Sequence, residues 1–276
     1  ADGAIVRSGT RITADLLENP GKLRAIVRAG VGVDNIDVAT ATRKGVIVMN
    51  TPGGNTVSTC EQTWALIFAL MRHTCAADAV MHQGGWDRNK YVGTQLAGKT
   101  LGVIGLGRIG REVAKRALAM DMQVVGYDPI LAAERISTWG FTPASDIPTL
   151  LKQADIVTVH VPMTEETKNL LGAAELAMMK KGARVINCAR GGIIDENALA
   201  EALQSGHLAG AGLDVFAEEP PPANHPLRSM SNVVLTPHLG ASTNEAQKSV
   251  ALEAAHLLVD YLTRGQVQSA VNLPAV

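Results

Sequence analysis

An excess of charge of either sign is missing from this 276-residue chain: Lys and Arg number 25 against 26 for Asp and Glu. That balance gives no electrostatic footing for nucleic acid or an anionic membrane surface as partner, so any anionic ligand must be held by local groups. Cysteine is scarce too. Cys60, Cys75 and Cys188 are odd in number and unrelated in spacing. They offer no C-x-x-C pair and no adjacent histidine to complete a zinc set, so no metal site is expected. Free thiols of this kind point to a reducing, cytoplasmic setting rather than a secreted one. No apolar run has the length of a membrane span; the longest candidate, around Thr63 to Met71, is flanked by Glu61 and Arg72. Internal repeats and low-complexity tracts are absent. An initiator Met is absent as well, and no strand precedes the first apolar run, Ala4 to Arg7, so a trimmed fragment is expected.

What is present is an ordinary globular composition, 46% hydrophobic and 18% charged, which excludes a disordered chain and suits one large or two smaller domains. Leu23 to Ala29 is strand-like, Gly30 and Gly32 punctuate, a polar stretch follows, and Val46 to Asn50 is again strand-like. After the break at Thr51 to Gly54, Val57 to His73 has the spacing of a long helix. A second helix ends near Gly84 and Gly85. From Thr100 the rhythm becomes strict. Strands are predicted at Leu101 to Ile104, Val124 to Tyr127, Ile156 to Val161, Ala183 to Asn187, Ala209 to Asp214 and Val233 to Leu235. Helices fall between them at Gly110 to Met120, Ile147 to Gln153, Ala173 to Met179 and Glu196 to Ser205, with a last one from about Asn244 to Thr263. Alternation of this kind defines an α/β protein with a Rossmann-type doubly wound parallel sheet.

Gly105-Leu106-Gly107-Arg108-Ile109-Gly110 follows an apolar strand and opens a helix, the context in which G-x-G-x-x-G indicates dinucleotide binding. Gly105 permits the tight turn, Gly107 lets backbone approach a pyrophosphate, and Gly110 lets helix and strand pack closely. The plain alternative is a tight turn that binds nothing. Against it stands Asp128, which ends the next strand, where a carboxylate accepts from ribose hydroxyls and repels a 2′-phosphate. NAD rather than NADP is therefore the expected cofactor. Arg108, inside the turn, is expected to contact the pyrophosphate.

Hydride chemistry at an alcohol carbon needs a base, a cation for the substrate's acid group and a cofactor face nearby. Three strand ends supply candidates: Arg190 after Asn187-Cys188-Ala189, Glu219 after Asp214-Val215-Phe216, and His238 in Thr236-Pro237-His238-Leu239-Gly240-Ala241. A carboxylate beside an imidazole stabilises its charged form, so Glu219 and His238 suit an acid-base pair. Arg190 suits bidentate binding of a carboxylate. Each has an ordinary alternative as a loop residue. His160 ends a strand near the expected cofactor; His73, His82, His207, His225 and His256 find no partner in the motifs and receive no role.

The stretches RAGVGVDNID, ATRKGVIVMNTP, GKTLGVIGLGRIGREVA, VVGYDP, INCARGGIIDE, LDVFAEEPP and TPHLGAS resemble the D-2-hydroxyacid dehydrogenase family along essentially the whole chain. The resemblance implies a second, smaller α/β substrate domain, or lid, built from residues 1–51 and 241–276 and truncated at its N-terminus, with an NAD-binding domain at 52–240 between them. It implies Arg190, Glu219 and His238 as the catalytic set. Gly105, Gly107, Arg108, Ile109, Gly110, Asp128, Val161, Cys188, Ala189, Arg190, Asp214, His238, Leu239, Gly240 and Ala241 would surround NAD. Substrate contacts would come from Arg7, Arg28, Val31, Gly32 and Asn55. Val31 and Val161 depart from the family pattern, which often has a hydroxyl residue at the first and Thr at the second, so contacts there would be made by backbone.

The implied reaction is oxidation of 3-phospho-D-glycerate to 3-phosphohydroxypyruvate, on the route to serine, by a homo-oligomer paired through the NAD-binding domain, with Val57 to His73 as a candidate dimer contact. The alternatives are another D-2-hydroxyacid or glyoxylate reductase of the same fold, and an NAD-sensing role like that of the C-terminal-binding corepressors. Glu219 disfavours formate dehydrogenase, whose branch resembles a Gln and His pairing. Loss of the first strand and helix is expected to leave NAD binding in place and slow turnover.

Overall fold

The computed structural model describes residues 1–273, and the chain divides into two compact units, Ala1–Ser58 with Ala241–Val276, and Thr59–Gly240.

In the first unit, β1 (Gly3–Val6), β2 (Ala25–Arg28) and β3 (Ile47–Asn50) form a parallel sheet in that order. Side chains alternate across it, as strand geometry requires. Ile26 and Val48 pack on one face with Leu17 of α1 (Ala14–Leu17) and Ala41 of α2 (Val38–Arg43). Ala25, Val27 and Met49 pack on the other. Burial on both faces explains why these strands are continuous apolar runs rather than alternating ones. The stretch expected to be merely polar contains α2, whose start is fixed by Asp37 accepting a hydrogen bond from the Thr40 N–H at 2.8 Å.

Next in the chain come α3 (Thr56–Met71) and α4 (Thr74–His82). The first helix stops within two residues of the expected end at His73, which takes a left-handed conformation, φ 55°, and α4, the second helix expected, departs at 65° and ends at His82, just before Gly84 and Gly85. Among the described residues no single helix is long and apolar enough to cross a membrane.

The second unit then alternates strand and helix: β4 (Thr100–Ile104), α5 (Arg108–Ala119), β5 (Gln123–Tyr127), α6 (Ala133–Ser137), β6 (Thr142–Pro143), α7 (Ile147–Gln153), β7 (Ile156–Val159), α8 (Ala173–Met178), β8 (Arg184–Asn187), α9 (Glu196–Gln204), β9 (Gly210–Leu213) and β10 (Val233–Leu235). The seven parallel strands are ordered β10-β9-β8-β7-β4-β5-β6. This is the doubly wound sheet expected, with its order reversing between β4 and β7. Both faces are covered. Leu101, Val103, Ile156 and Ile186 pack against α3 and α5 through Leu66, Ile67 and Val113; Val157, Val159, Val185 and Leu213 pack against α7, α8 and α9 through Leu151, Leu176 and Leu199. A Cβ on Gly212 would lie 3.1 Å from Leu66, so that glycine lets α3 sit close on β9.

Besides α1 and α2 of the first unit, a strand and a helix of the second unit's alternation have no counterpart in the sequence pattern. Strand β6 is two residues long at the sheet's edge and ends in Pro143, which the interior of a sheet would not accept. Helix α6 is a short turn leading into it. β7 stops at Val159 rather than Val161; the ladder's final bond is the His160 N–H donating to Ile104 O at 2.7 Å, just before Pro162.

After the second unit, α10 (Asn244–Arg264) returns to the first and lays Val250, Ala254 and Leu257 on its sheet. These positions share one helical face. Thr243 caps its start by accepting from the Ala246 N–H at 3.1 Å, and Gly265, φ 68°, ends it.

Candidate active site

At the point where the strand order reverses, β4 leads into Gly105, whose φ of 91° favours glycine. A Cβ there would lie 2.7 Å from the His160 carbonyl oxygen, and one on Gly110 would lie 1.9 Å from the Gly105 carbonyl oxygen. Neither position accepts a side chain. Gly107 is different: nothing lies within 4 Å of where its Cβ would be, and it heads α5 with no side chain capping the helix. The first amides of α5, from Arg108 and Ile109 onward, are thus left for an incoming acceptor, the arrangement that binds phosphate oxygens.

Asp128, just past β5, braces this loop. Its Oδ2 accepts from the Leu106 N–H at 2.9 Å and its Oδ1 from the Ile130 N–H at 3.0 Å. Each carboxylate oxygen has a second lone pair, so the side chain retains acceptor capacity for hydroxyls. Behind the turn, His160 Nε2 hydrogen-bonds Thr158 Oγ1 at 2.9 Å while Nδ1 is enclosed, and burial pulls the imidazole's pKa down to about 4. A ring kept neutral at physiological pH adds no positive charge to the anion site.

The other candidates lie on loops after β8, β9 and β10, three consecutive strands of the same sheet. After β8, the carboxamide of Asn187 shapes the loop: Oδ1 accepts from the Ala189 N–H at 2.9 Å, and Nδ2 donates to Arg190 O at 2.8 Å. Arg190 in turn donates through Nη1 to Ala189 O at 2.7 Å. The Cys188 thiol lies inward beside Thr63, and burial pushes its pKa up to about 12, so it is no nucleophile at neutral pH.

After β9, Asp214 is fully buried, with 0% exposure. Its carboxylate accepts from the Leu239 N–H at 2.7 Å, from the Gly240 N–H at 2.8 Å and from the Thr236 hydroxyl. It therefore acts on the loop after β10, holding the residues on either side of His238. His238 itself is in a left-handed conformation, φ 55°, with its N–H donating to Asp214 O at 2.8 Å.

That loop geometry sets His238 Nδ1 2.8 Å from Glu219 Oε2. The other carboxylate oxygen, Oε1, accepts from the Phe216 N–H at 3.1 Å, so the Glu219 carboxylate is fixed on both sides. The two side chains are 48% and 38% exposed, within reach of a solute. They share a cavity of about 390 Å³ with Phe216, Arg228 and Leu235. Among the described residues no group of three or more His, Cys, Asp or Glu could hold a metal ion.

Val161, Leu239 and Ala241 are at least partly accessible, whereas Gly240 is buried and a Cβ on it would lie 3.3 Å from Asp214 Oδ2. The suggested substrate residues Arg7, Arg28, Val31, Gly32 and Asn55 all belong to the first unit. There, Asn50 Nδ2 donates to Val31 O at 2.6 Å, and Thr51 Oγ1 accepts from the Gly30 N–H at 2.6 Å, fixing the loop that carries Val31 and Gly32. Arg28 donates through Nη1 to Ala29 O. Asn55 Oδ1 is buried and accepts no hydrogen bond from the described residues, a polar atom left for a ligand or water. Arg7 is exposed.

His225, which received no role from the sequence, has a partner after all: its Nε2 lies 2.7 Å from Glu196 Oε2, with both side chains largely buried. The residues are 29 positions apart in the chain, and only the fold of the loop after β9 joins them. Gln62 of α3, which donates to Thr236 Oγ1 at 3.0 Å, is likewise invisible without the structure.

A glycine cradle at the switch point, an acidic residue closing it and three adjacent strand ends bearing Arg, Glu and His define an α/β dinucleotide-binding unit with a hydrogen-bonded His–Glu pair beside it. Residues 64–240 match the family model "D-isomer specific 2-hydroxyacid dehydrogenase, NAD binding domain", and the chain belongs to that family. It is 51% identical over 279 residues to the D-3-phosphoglycerate dehydrogenase of Bacillus subtilis, with 100% of this chain and 52% of that protein aligned. The chain spans about half the length of the curated relatives it matches. Among solved structures it resembles a glyoxylate reductase from Paecilomyes thermophila (TM-score 0.90, 31% identity, covering 98% of this chain and 83% of that one). It also resembles D-lactate dehydrogenase from Aquifex aeolicus, solved with NAD and lactic acid (TM-score 0.86, 30% identity, 100% and 88% covered). The cofactor of the Thr59–Gly240 unit is accordingly NAD, as the glycine turn and Asp128 indicate.

Proposed function

We propose that the chain oxidises 3-phospho-D-glycerate to 3-phosphohydroxypyruvate with NAD as oxidant, in the cytoplasm, as a step toward serine. The observation that carries the chemistry is the 2.8 Å pairing of His238 with Glu219 on the sheet edge that also bears Arg190. The level of identity to D-3-phosphoglycerate dehydrogenases supports the choice of substrate.

When bound, NAD supplies the hydride acceptor. With Nδ1–H donating to the Glu219 carboxylate, Nε2 of His238 is the ring's free acceptor and takes the C2 hydroxyl proton as the C2–H bond breaks and the carbonyl forms. Glu219 stabilises the imidazolium produced and holds the ring's orientation, both of its own oxygens being engaged. Arg190 presents its guanidinium to the substrate's carboxylate and developing carbonyl oxygen. We assign Thr59–Gly240 to the cofactor, and the first unit, through Arg7, Arg28, Val31, Gly32 and Asn55, to the substrate's carboxylate and phosphate.

A spectrophotometric assay of NAD reduction tests this reading. Turnover with 3-phospho-D-glycerate should exceed that with D-lactate or D-glycerate. The second reading, a glyoxylate or general D-2-hydroxyacid reductase, is favoured by the glyoxylate reductase neighbour and would give the reverse order with NADH and glyoxylate.

Asp128 governs the choice of cofactor. Replacing it by Ala removes a charged acceptor for the ribose hydroxyls, and hydrogen bonds to charged groups are worth about 1.5–3 kcal/mol. Asp128→Ala should therefore raise KM for NAD by roughly 10- to 100-fold and narrow the preference over NADP. Equal KM values for the variant and the wild type would remove Asp128 from the site.

We also propose that the chain pairs with a second copy through the α3 and α4 region. Helix α4 buries none of its residues within the chain, and Phe68, Met81, Trp86 and Val92 are exposed. Apolar surface left open in this way is characteristic of an interface. Sedimentation equilibrium should give twice the monomer mass, and Phe68→Glu should restore the monomer; a monomeric wild type would defeat this assignment.

A further inference from the structure

The geometry points to Glu196 and His225 as positioning residues that set the catalytic pair from behind, deepening the acid-base reading on which the proposed activity rests. Neither residue lines the cavity that holds His238. Glu196, the first residue of α9, accepts from the Ala217 N–H through Oε1 at 2.7 Å and pairs through Oε2 with His225 Nε2 at 2.7 Å. The neighbouring peptide N–H, that of Phe216, is the one that donates to Glu219 Oε1 at 3.1 Å. Glu219 then reaches His238 at 2.8 Å. Hydrogen bonds to two consecutive amides, linked by the covalent backbone of Phe216, thus tie His225 and Glu196 to the proposed base.

Packing locks the same peptide from two further directions. The His225 ring meets the Phe216 ring edge-on, with centroids 6.0 Å apart. A Cβ on Gly191 would fall 1.8 Å from Phe216 O, so the backbone beside Arg190 lies directly against the Phe216–Ala217 peptide. A loop held only by its own chain would let Glu219 swing, because loops have few contacts of their own. Glu196, with 14% of its side chain exposed and placed at the start of a helix buried along Leu199 and Leu203, is a rigid anchor by comparison. Groups that orient a catalytic residue act through geometry, and small displacements are costly in rate.

The test is a double-mutant cycle with Glu219, run on this chain with NAD and 3-phospho-D-glycerate. Glu196→Ala should lower kcat about 10- to 100-fold, the equivalent of one or two hydrogen bonds to a charged group, with KM for NAD little changed. Glu196→Gln, whose amide oxygen can still accept from Ala217, should recover most of the loss. In a Glu219→Ala background, Glu196→Ala should add almost nothing, because no carboxylate remains to be held. Multiplicative losses in the double variant, or a loss expressed in KM for NAD, would indicate general destabilisation and overturn the proposal.

Should the wild type fail to turn over 3-phospho-D-glycerate, the proposed activity falls while this inference is still tested. Amide hydrogen exchange at Phe216 needs no substrate, and Glu196→Ala should accelerate it about tenfold or more as the loop loosens. Unchanged protection at Phe216 would overturn the positioning role whatever the substrate.

Discussion

Replacing His238 by Ala should lower kcat for NAD reduction by about 10²- to 10⁴-fold, the range supplied by a positioned general base, while NADH binds as in the wild type. The two halves of that expectation have separate structural grounds. The proposed base is a side chain on the loop after β10, paired with Glu219 at 2.8 Å and open enough to meet a solute. The cofactor cradle is built on β4 and β5 from Gly105, Gly107, Gly110 and Asp128, and the bonds shaping it involve Leu106, Ile130 and His160 but not the His238 ring. Truncation at Cβ leaves the backbone bond from His238 N to Asp214 O, so the loop should keep its shape. Isothermal titration with NADH and steady-state kinetics measure the two halves independently. Variant kcat within a few-fold of wild type would assign the base elsewhere, and loss of NADH binding would mean the ring supports the cofactor site.

The sequence was most legible where local and tertiary demands coincide. The seven strands of the large sheet except β6 were recognisable because burial on both faces makes each an uninterrupted apolar run, and the glycine turn because backbone approach excludes side chains at Gly105 and Gly110. Short elements at the margin were not: β6 is paired over two residues at an edge and contains Pro143, and α6 is a single turn and a half with little periodicity to detect. Arg190, Glu219 and His238 were proposed from strand ends, since ligands in doubly wound sheets gather there, and the structure brings His238 and Glu219 to 2.8 Å. The groups that hold them could not be named in this way. Asn187 and Asp214 work as hydrogen-bond acceptors for loop amides, and Glu196 meets Ala217 and His225 only through the path of the β9 loop. Sequence spacing carries no trace of such contacts.

Asp214→Ala should be the most destabilising single change at the sheet edge and should also abolish turnover. The carboxylate is fully buried, and its removal takes the acceptor from four donors, the N–H groups of Leu239 and Gly240, the Thr236 hydroxyl and, at 3.5 Å, the Gln62 amide. Each buried donor left without its acceptor costs about 1–3 kcal/mol. For a chain of this size each kcal/mol corresponds to a fall in Tm of roughly 2–4 °C. Asp214→Asn discriminates between shape and charge. The Asp214 oxygens divide the donors, Oδ1 taking Leu239, Thr236 and Gln62 while Oδ2 takes Gly240. An amide in place of the carboxylate must turn its NH₂ toward one of these donors, so it should recover only part of the stability. Activity should fall further than stability in both variants, because Leu239 and Gly240 follow His238 directly and their release frees the base from Glu219. Calorimetry and kinetics on the two variants measure this. A Tm for Asp214→Asn within about 2 °C of wild type would show that shape alone suffices there, since a cost of more than about 1 kcal/mol would have been visible. Wild-type kcat in Asp214→Ala would show that the His238 loop holds itself.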